Sequence, residues 1–460
     1  MDKLQKVFKA YDIRGIYPSE VDEDLAWKVG FASGQFLRSL LSGYDRGQTA
    51  ANRLVVGRDM RPHSEALAQN VMEGIVASGL SCVDVGMVDT PLVYFAINHL
   101  GACGGIQVTA SHNPIEYNGF KISGQKARPV GENTGLKEIR HLVSSLRRTP
   151  AADTAAHIQK MDLWGEYRQH VLRFLKLSRP LKVAADASNG MAGRMLPALF
   201  DGADIRISPL NYEVGKKFAH APNPLLKSAL SQVRRTIKKG RFDFGVCFDA
   251  DADRCIFLDE RGEAVRSDHV TAILARHFLR LNPGSTVVYD LRSSRVVPEE
   301  IRAAGGVPRR ERVGHAFMKK ALADTHAVFG GELSGHFYFR DNFNADSGAI
   351  VFAVFASAVS AGNTPVSEMI APLKRYVQSG EVNFHVKDKQ AKMDQLAAKF
   401  ADGQADNLDG VTIQYDDWWF NVRPSNTEPL LRLNLEAKDK QGLERHFKQI
   451  TDIVGQPDKE

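Results

Sequence analysis

Cysteine is scarce in this chain: four residues in 460, Cys82, Cys103, Cys247 and Cys255. None forms a CxxC pair, so neither a structural zinc site nor a thioredoxin-like motif is indicated. So few thiols over such a length fit a reducing cytosol, where a hydrophobic core and not disulfides holds the fold. Long hydrophobic runs are also missing. The most apolar stretch, Ala349 to Ala361, covers 13 residues between Gly348 and Gly362. That is short of the ~20 needed to span a bilayer and predicts a buried helix. The N-terminus, Met1 to Lys6, is charged and lacks the apolar run of a signal peptide. The expectation is a cytoplasmic protein without a membrane partner. Neither sign of charge dominates, with 60 Lys and Arg against 54 Asp and Glu. A net charge of +6 over this length does not indicate nucleic-acid binding, and anionic small molecules suit it as well. Hydrophobic residues at 43% and charged residues at 25% are ordinary globular values. They exclude disorder, collagen-like repeats and coiled coil for the chain as a whole.

At roughly 150 residues per domain the length predicts about three domains, with two or four also compatible. Helix-like and strand-like segments alternate. Pro62 to Gly79 carries Leu67, Val71, Met72, Ile75 and Val76 at helical spacing, with Gly79 as a C-cap. The apolar runs Leu54–Val56 and Cys82–Val85 flank it, a βαβ pattern that implies a mostly parallel sheet. A degenerate repeat follows. Val55-Val56, Val183–Ala185 and Val287–Tyr289 each lead towards an aspartate, and each is followed at a distance by a strand running into a polar loop. Those loops are Ala110–Pro114, Asp249–Asp253 and Gly330–His336. Three α/β units each giving one loop to a shared site would explain the arrangement, because parallel sheets bind ligands at the carboxyl ends of their strands. Ala151 to Lys160 and Ser360 to Pro365 read as linkers, and a smaller fourth unit begins near residue 371.

The strongest local signal is Asp249-Ala250-Asp251-Ala252-Asp253-Arg254. Three carboxylates at alternate positions repel unless a cation neutralises them, and an all-oxygen donor set selects Mg²⁺, Ca²⁺ or Mn²⁺. An EF-hand would add Glu260 at position 12. It would also need glycine where Arg254 stands, and helices where strand-like segments flank the loop. A haloacid-dehalogenase-type nucleophile does not require the third Asp, and a solvated acidic turn is the bland alternative. Arg254 beside the cluster suggests an incoming anion. Ser111 follows a strand in Thr109-Ala110-Ser111-His112-Asn113-Pro114. Serine in an Asn-Pro turn often only bonds local backbone, yet a hydroxyl fixed there could also carry a phosphoryl group. His112 and Lys121 could supply proton transfer or charge, and the absence of a G-x-S-x-G elbow disfavours acyl transfer. Glu332, Ser334 and His336 offer a carboxylate, a hydroxyl and an imidazole, a set that suits a sugar diol or a plain surface turn. His315, after Gly314, is equally open. Arg423-Pro424-Ser425-Asn426-Thr427 can wrap a phosphate or start a helix. Arg292, Arg295, Arg302, Arg309, Arg310 and Arg312 read mostly as a solvated face, and Trp418-Trp419 as packing.

Lys9–Gly15, Thr109–Pro114, Asp249–Arg254, Gly331–His336 and Arg423–Pro429 stand in the order seen in the α-D-phosphohexomutases, and the match resembles the bacterial phosphomannomutase/phosphoglucomutase branch. The resemblance spans Tyr11 to Glu428. It implies an α/β fold of three similar mixed α/β domains (1–155, 156–262 and 263–370) and a smaller C-terminal α+β lid domain (371–460) around a central cleft. It implies Ser111 as a phosphoserine that, with Asp249, Asp251 and Asp253, holds Mg²⁺. It also implies interconversion of hexose 1-phosphate and 6-phosphate through a hexose 1,6-bisphosphate, which serves as activator. By the same resemblance Arg14, Lys121 and His336 are acid, base and charge-stabilising groups, with His112 and His315 nearby. Glu332 and Ser334 read sugar hydroxyls. Tyr11, Arg254, Arg292, Gly314, Arg423, Ser425, Asn426 and Thr427 contact substrate. A monomer is implied. Phosphoglucosamine mutase is the sister reading, and a Mg²⁺-dependent sugar-phosphate phosphatase is the reading from another class. Two departures stand out: Ala250 and Ala252 replace common glycines, and Arg292 replaces a common lysine.

Overall fold

The computed structural model describes residues 3–41, 52–149, 154–215, 217–425 and 430–458. The βαβ reading of the first segment holds. Arg53–Arg58 and Ser81–Met87 are parallel strands joined by the helix Ser64–Ala77, whose Leu67, Val71 and Ile75 are buried. Gly79 follows that helix at φ +89°, a left-handed position that glycine occupies without steric cost.

The degenerate repeat is a shared topology. Three leading strands, Arg53–Arg58, Leu181–Asp186 and Thr286–Asp290, each lie between two parallel neighbours. One neighbour is Gly104–Val108, Phe244–Phe248 or Phe329–Gly331. Each of these turns back into an antiparallel partner, Tyr117–Gly124, Cys255–Leu258 or Phe337–Phe339. The reversal occurs at the carboxyl end of a parallel strand, and each polar loop is that reversal. Two additions bring further residues to the same edge. Ile13–Ile16 pairs antiparallel with Tyr117–Gly124, opposing Arg14 to Gly119. Ala345–Asp346 pairs with Phe337–Phe339, opposing Asp346 to Tyr338.

The apolar run is a buried helix, Gly348–Ser360. It follows the third sheet in the chain yet packs on the second: Phe352 meets Phe200, Phe244 and Phe248, and Phe355 stacks on Phe257 at 4.0 Å. It lies in one cluster that runs from Val83 and Phe95 through Phe248 to Phe329, while most of the first unit's core, around Val56, Leu67 and Ile106, forms a cluster of its own. The last five strands, from Val377–His385 to Leu430–Ala437, form a wholly antiparallel sheet. Its core is its own, around Phe384, Leu396, Phe420, Leu433 and Ile450.

Three sequence expectations need correction. Ile158–Lys160 is not linker but a parallel edge strand on Ser81–Met87, while residues 150–153 lie outside the described residues. Ser360 to Pro365 joins two helices, Gly348–Ser360 and Val366–Ile370, within one unit. The arginines assigned to a solvated face are largely a docking surface. Arg295 donates to the carbonyls of Asp416 and Trp418, Arg310 pairs with Asp406, and Arg312 lies 3.9 Å from Asp409. All four partners belong to the antiparallel sheet and its loops. Trp418-Trp419 is packing as expected: Trp418 stacks on His446 and Tyr415, and Trp419 donates to Glu436.

Candidate active site

Ser111 begins the reversal after Gly104–Val108. It is 3% exposed, and its backbone is left-handed at φ +49°. Its hydroxyl donates to Asp249 Oδ2 at 3.2 Å, across to the loop of the second unit. Nδ1 of His112 lies 3.4 Å from the same hydroxyl. Arg254 and burial hold that imidazole well below the ordinary histidine value, so His112 is a neutral neighbour. Arg14, brought in by the added strand, donates to Asp12 and Asn113 at 2.7 and 2.9 Å.

The Asp249–Asp253 loop is fully buried. Each of its three aspartates offers an oxygen within 4.8 Å of the others. Burial and the neighbouring Asp253 push Asp249 up to about 7. Asp253, despite burial, is held down at about 2 by Lys121 and His336. Lys121 reaches in from Tyr117–Gly124 with its ammonium 2.6 Å from Asp251 and 2.5 Å from Asp253. Burial disfavours that charge, and the two carboxylates more than offset it, so Lys121 is raised above the ordinary lysine value. Oδ1 of Asp251 and Oδ1 of Asp253 are buried and accept no hydrogen bond among the described residues. Two such oxygens beside a third carboxylate and a serine hydroxyl fit a hard divalent cation. Of the two alanines only Ala252 is left-handed, at φ +57°. Arg254 spends Nε on Asp249 at 2.9 Å, and its buried Nη2 has no partner among the described residues. That donor is free for an anion.

His336 completes this cluster. Its Nδ1 is 2.8 Å from Asp346 and 3.9 Å from Asp253, which outweigh burial and raise it above the ordinary histidine value. Asp346 also pairs with the buried Lys319 at 2.7 Å. His315 starts the helix that carries Lys319 one turn later, its ring 6.4 Å from His336 and 5.4 Å from Tyr11. Gly314 is required there: at φ +129° a Cβ would come 2.8 Å from the Tyr11 hydroxyl.

Glu332 departs from expectation. Its carboxylate accepts from Ser334 Oγ at 3.1 Å and from the buried Tyr338 hydroxyl, so the protein's own hydroxyls occupy the positions assigned to a sugar diol. Arg292 holds Asp290 and reaches Glu381 at 3.3 Å; Arg423 reaches the same carboxylate at 2.7 Å and Arg432 at 3.4 Å. The three arginines hold Glu381, despite burial, at about 2. Ser425 closes its turn with Leu430 at 2.8 Å, whereas Asn426 and Thr427 lie outside the described residues. The geometry therefore gathers Ser111, His112, Lys121, Arg14, Asp249, Asp251, Asp253, Arg254 and His336 into one polar cluster. Tyr11 and His315 lie on its flank, and Arg292, Glu332 and Arg423 form a second group.

Four residues near these groups escaped sequence reading. Thr90 donates to Asp251 at 2.6 Å from the first unit. Asp346 and Lys319 support His336, and Glu381 gathers the arginines. Only Lys319 had a signal, four residues after His315 on one helix face.

Family models for phosphoglucomutase/phosphomannomutase match the chain in four consecutive blocks. The α/β/α domains I, II and III match residues 5–149, 166–262 and 266–376, and the C-terminal domain matches 381–453. The chain is 37% identical over 454 residues to a protein named phosphohexose mutases from Xanthomonas campestris, covering 97% of this chain and 98% of that one. It is 35% identical over 460 residues to a phosphomannomutase from Salmonella montevideo, with coverage of 97% and 98%. A solved phosphoglucomutase/phosphomannomutase family protein from Burkholderia thailandensis superposes with a TM-score of 0.88 at 29% identity, over 99% of this chain and 98% of that one.

Proposed function

The chain belongs to the α-D-phosphohexomutase family and is an intramolecular phosphotransferase of the phosphoglucomutase/phosphomannomutase type. From that premise we propose that it interconverts the 1- and 6-phosphates of glucose and mannose through phospho-Ser111 and a hexose 1,6-bisphosphate. The observation that carries this reading is the Ser111 hydroxyl directed at Asp249 beside two further aspartates. Asp249, Asp251, Asp253 and the Ser111 oxygen would hold Mg²⁺, which supplies neutralisation of phosphoryl oxygens.

In this reading the Ser111 O–P bond breaks as the free C6 hydroxyl of a hexose 1-phosphate bonds to phosphorus, and the hydroxyl proton passes to a neighbouring base. The bisphosphate turns around, its C1 phosphoryl returns to Ser111, and hexose 6-phosphate leaves. Lys121 and Arg14 carry positive charge at the transferring group, and the Arg254 donor that has no partner among the described residues meets a phosphate oxygen. His336, whose pKa Asp253 and Asp346 raise against burial, can donate a proton to a leaving oxygen. Tyr11, Arg423, Ser425, Asn426 and Thr427 would bind the phosphate that is not reacting, Arg292 and Gly314 would contact the substrate, and His112 and His315 would stand beside the acid and base groups. Glu332 and Ser334 would read O3 and O4, exchanging their internal hydrogen bonds for sugar hydroxyls. A change at C2 then goes largely unread. The enzyme acts as a monomer in the cytoplasm, with hexose phosphates as its partners and the 1,6-bisphosphate as activator.

A coupled assay on glucose 1-phosphate and mannose 1-phosphate, with and without the 1,6-bisphosphate, tests the reading. Both sugars should turn over, the bisphosphate should activate, and Ser111→Ala should be inactive. A mannose 1-phosphate rate at background removes dual specificity. Steady release of inorganic phosphate would instead indicate a phosphatase, and preference for glucosamine 6-phosphate the sister mutase.

A further inference from the structure

Arg61 lies outside every motif considered so far, Asp59 is the aspartate to which the first repeat strand leads, and both side chains are fully buried. Asp59 immediately follows the leading strand of the first unit. Its Oδ1 accepts from the Arg61 backbone N–H and from Ser64, and its Oδ2 from Arg61 Nε at 3.1 Å and Thr109 Oγ1 at 2.7 Å. A guanidinium has five N–H donors in a rigid fork. One goes to Asp59. The other four go to backbone carbonyls of a single loop: Ser111 and Asn113, both at 2.7 Å, Tyr117 at 3.0 Å, and Pro114. On the other side of Ser111, its N–H donates to Thr109 Oγ1 at 2.9 Å.

Ser111 is therefore gripped at both its N–H and its carbonyl, and both grips end on the same oxygen, Asp59 Oδ2. The backbone so held is left-handed, a region that residues other than Gly, Asn and Asp avoid. Relaxation to negative φ would swing the hydroxyl away from Asp249. The sister units use the same device. Asp186 and Asp290, at the equivalent strand ends, accept from the N–H two residues on, at Ser188 and Arg292. Ser188 then donates to the carbonyl of Phe248, immediately before Asp249. In the first two units the residue two after the strand-end aspartate thus fixes the neighbouring catalytic loop.

We propose that Arg61, Asp59 and Thr109 are positioning residues that impose the left-handed backbone at Ser111 and so aim its hydroxyl at the carboxylate cluster. This rests on the reading of Ser111 as phosphoryl carrier. The test measures the rate at which glucose 1,6-bisphosphate phosphorylates Ser111, by mass spectrometry, together with kcat, KM and thermal melting, for the wild type, Thr109→Val, Thr109→Ser and Arg61→Lys. Thr109→Val should slow labelling and kcat by about tenfold or more with KM within about twofold, and Thr109→Ser should restore both. Arg61→Lys, with too few donors for the loop, should lose ~100-fold, the order expected when a reacting atom is misplaced by about 1 Å. If Arg61→Lys does not fold, the two Thr109 variants decide. Equal labelling and kcat in Thr109→Val and wild type, or equal impairment of Thr109→Val and Thr109→Ser, overturns the proposal alone. A wild type that takes no label at Ser111 overturns the functional reading beneath it.

Discussion

Ala250 and Ala252 share one loop and face opposite energetic consequences. Ala252 is left-handed and Ala250 is not. Replacing Ala252 by glycine removes strain of roughly 1–2 kcal/mol while losing a buried methyl and adding unfolded-state freedom, so the net change should be near zero. Ala250→Gly recovers nothing and should cost about 1–2 kcal/mol by chemical denaturation. Asp346 is a stricter case. His336 is raised, so the stability its protonation contributes is complete below the ordinary value of 6.5 and is lost as pH rises through the elevated pKa. Asp346→Asn should move the His336 titration to lower pH by NMR, and should destabilise by about 3 kcal/mol or more, because Lys319 loses its buried partner. The types of residue in the site were legible in the sequence because carboxylates at alternate positions or a serine at a strand end have few chemical uses. Their partners were not. Lys121 meets Asp251 from 130 residues away, and no local pattern encodes that distance.

The polar loops could be placed at strand ends because apolar runs of four to six residues stop abruptly at Asp or Ser. Ile158–Lys160 was misread as linker because three residues on a sheet edge carry no period, and their pairing depends on Ser81–Met87, far earlier in the chain. The arginines around Thr286–Asp290 and Val307–Glu311 were misread for a related reason. Charge on a strand looks solvated until another sheet docks on it. Glu381 reports that docking. Its pKa falls from an ordinary 4.5 to about 2, so its contribution is complete above pH 4.5 and lost as pH falls towards 2. Glu381→Gln should flatten the stability decline across that window, seen by following acid unfolding of the C-terminal sheet through Trp418 and Trp419 fluorescence.

The second and third units are tied together because the helix Gly348–Ser360, which follows the third sheet in the chain, packs on the second. Phe355→Ala should cost about 3–5 kcal/mol and should lower the unfolding transition of the second and third units together in calorimetry. The repeat was legible in the sequence, but this helix's packing on the second sheet was not, since an apolar run does not name the sheet it covers. None of the fifteen described α-helices is long and apolar enough to cross a membrane. The charge of the three clustered aspartates gives a further expectation. Mg²⁺ at about 100 times its Kd should stabilise the protein by about 2.7 kcal/mol, and Asp253→Asn should abolish that shift in a thermal melt.

The most direct test of the account is to map the phosphoryl group after incubation with ³²P-labelled glucose 1,6-bisphosphate and rapid acid quench. The label should lie on Ser111 alone, at no more than one per chain, and should leave when unlabelled hexose 1-phosphate is added. A label on any other residue, or one on Ser111 that hexose phosphate does not remove, would contradict it.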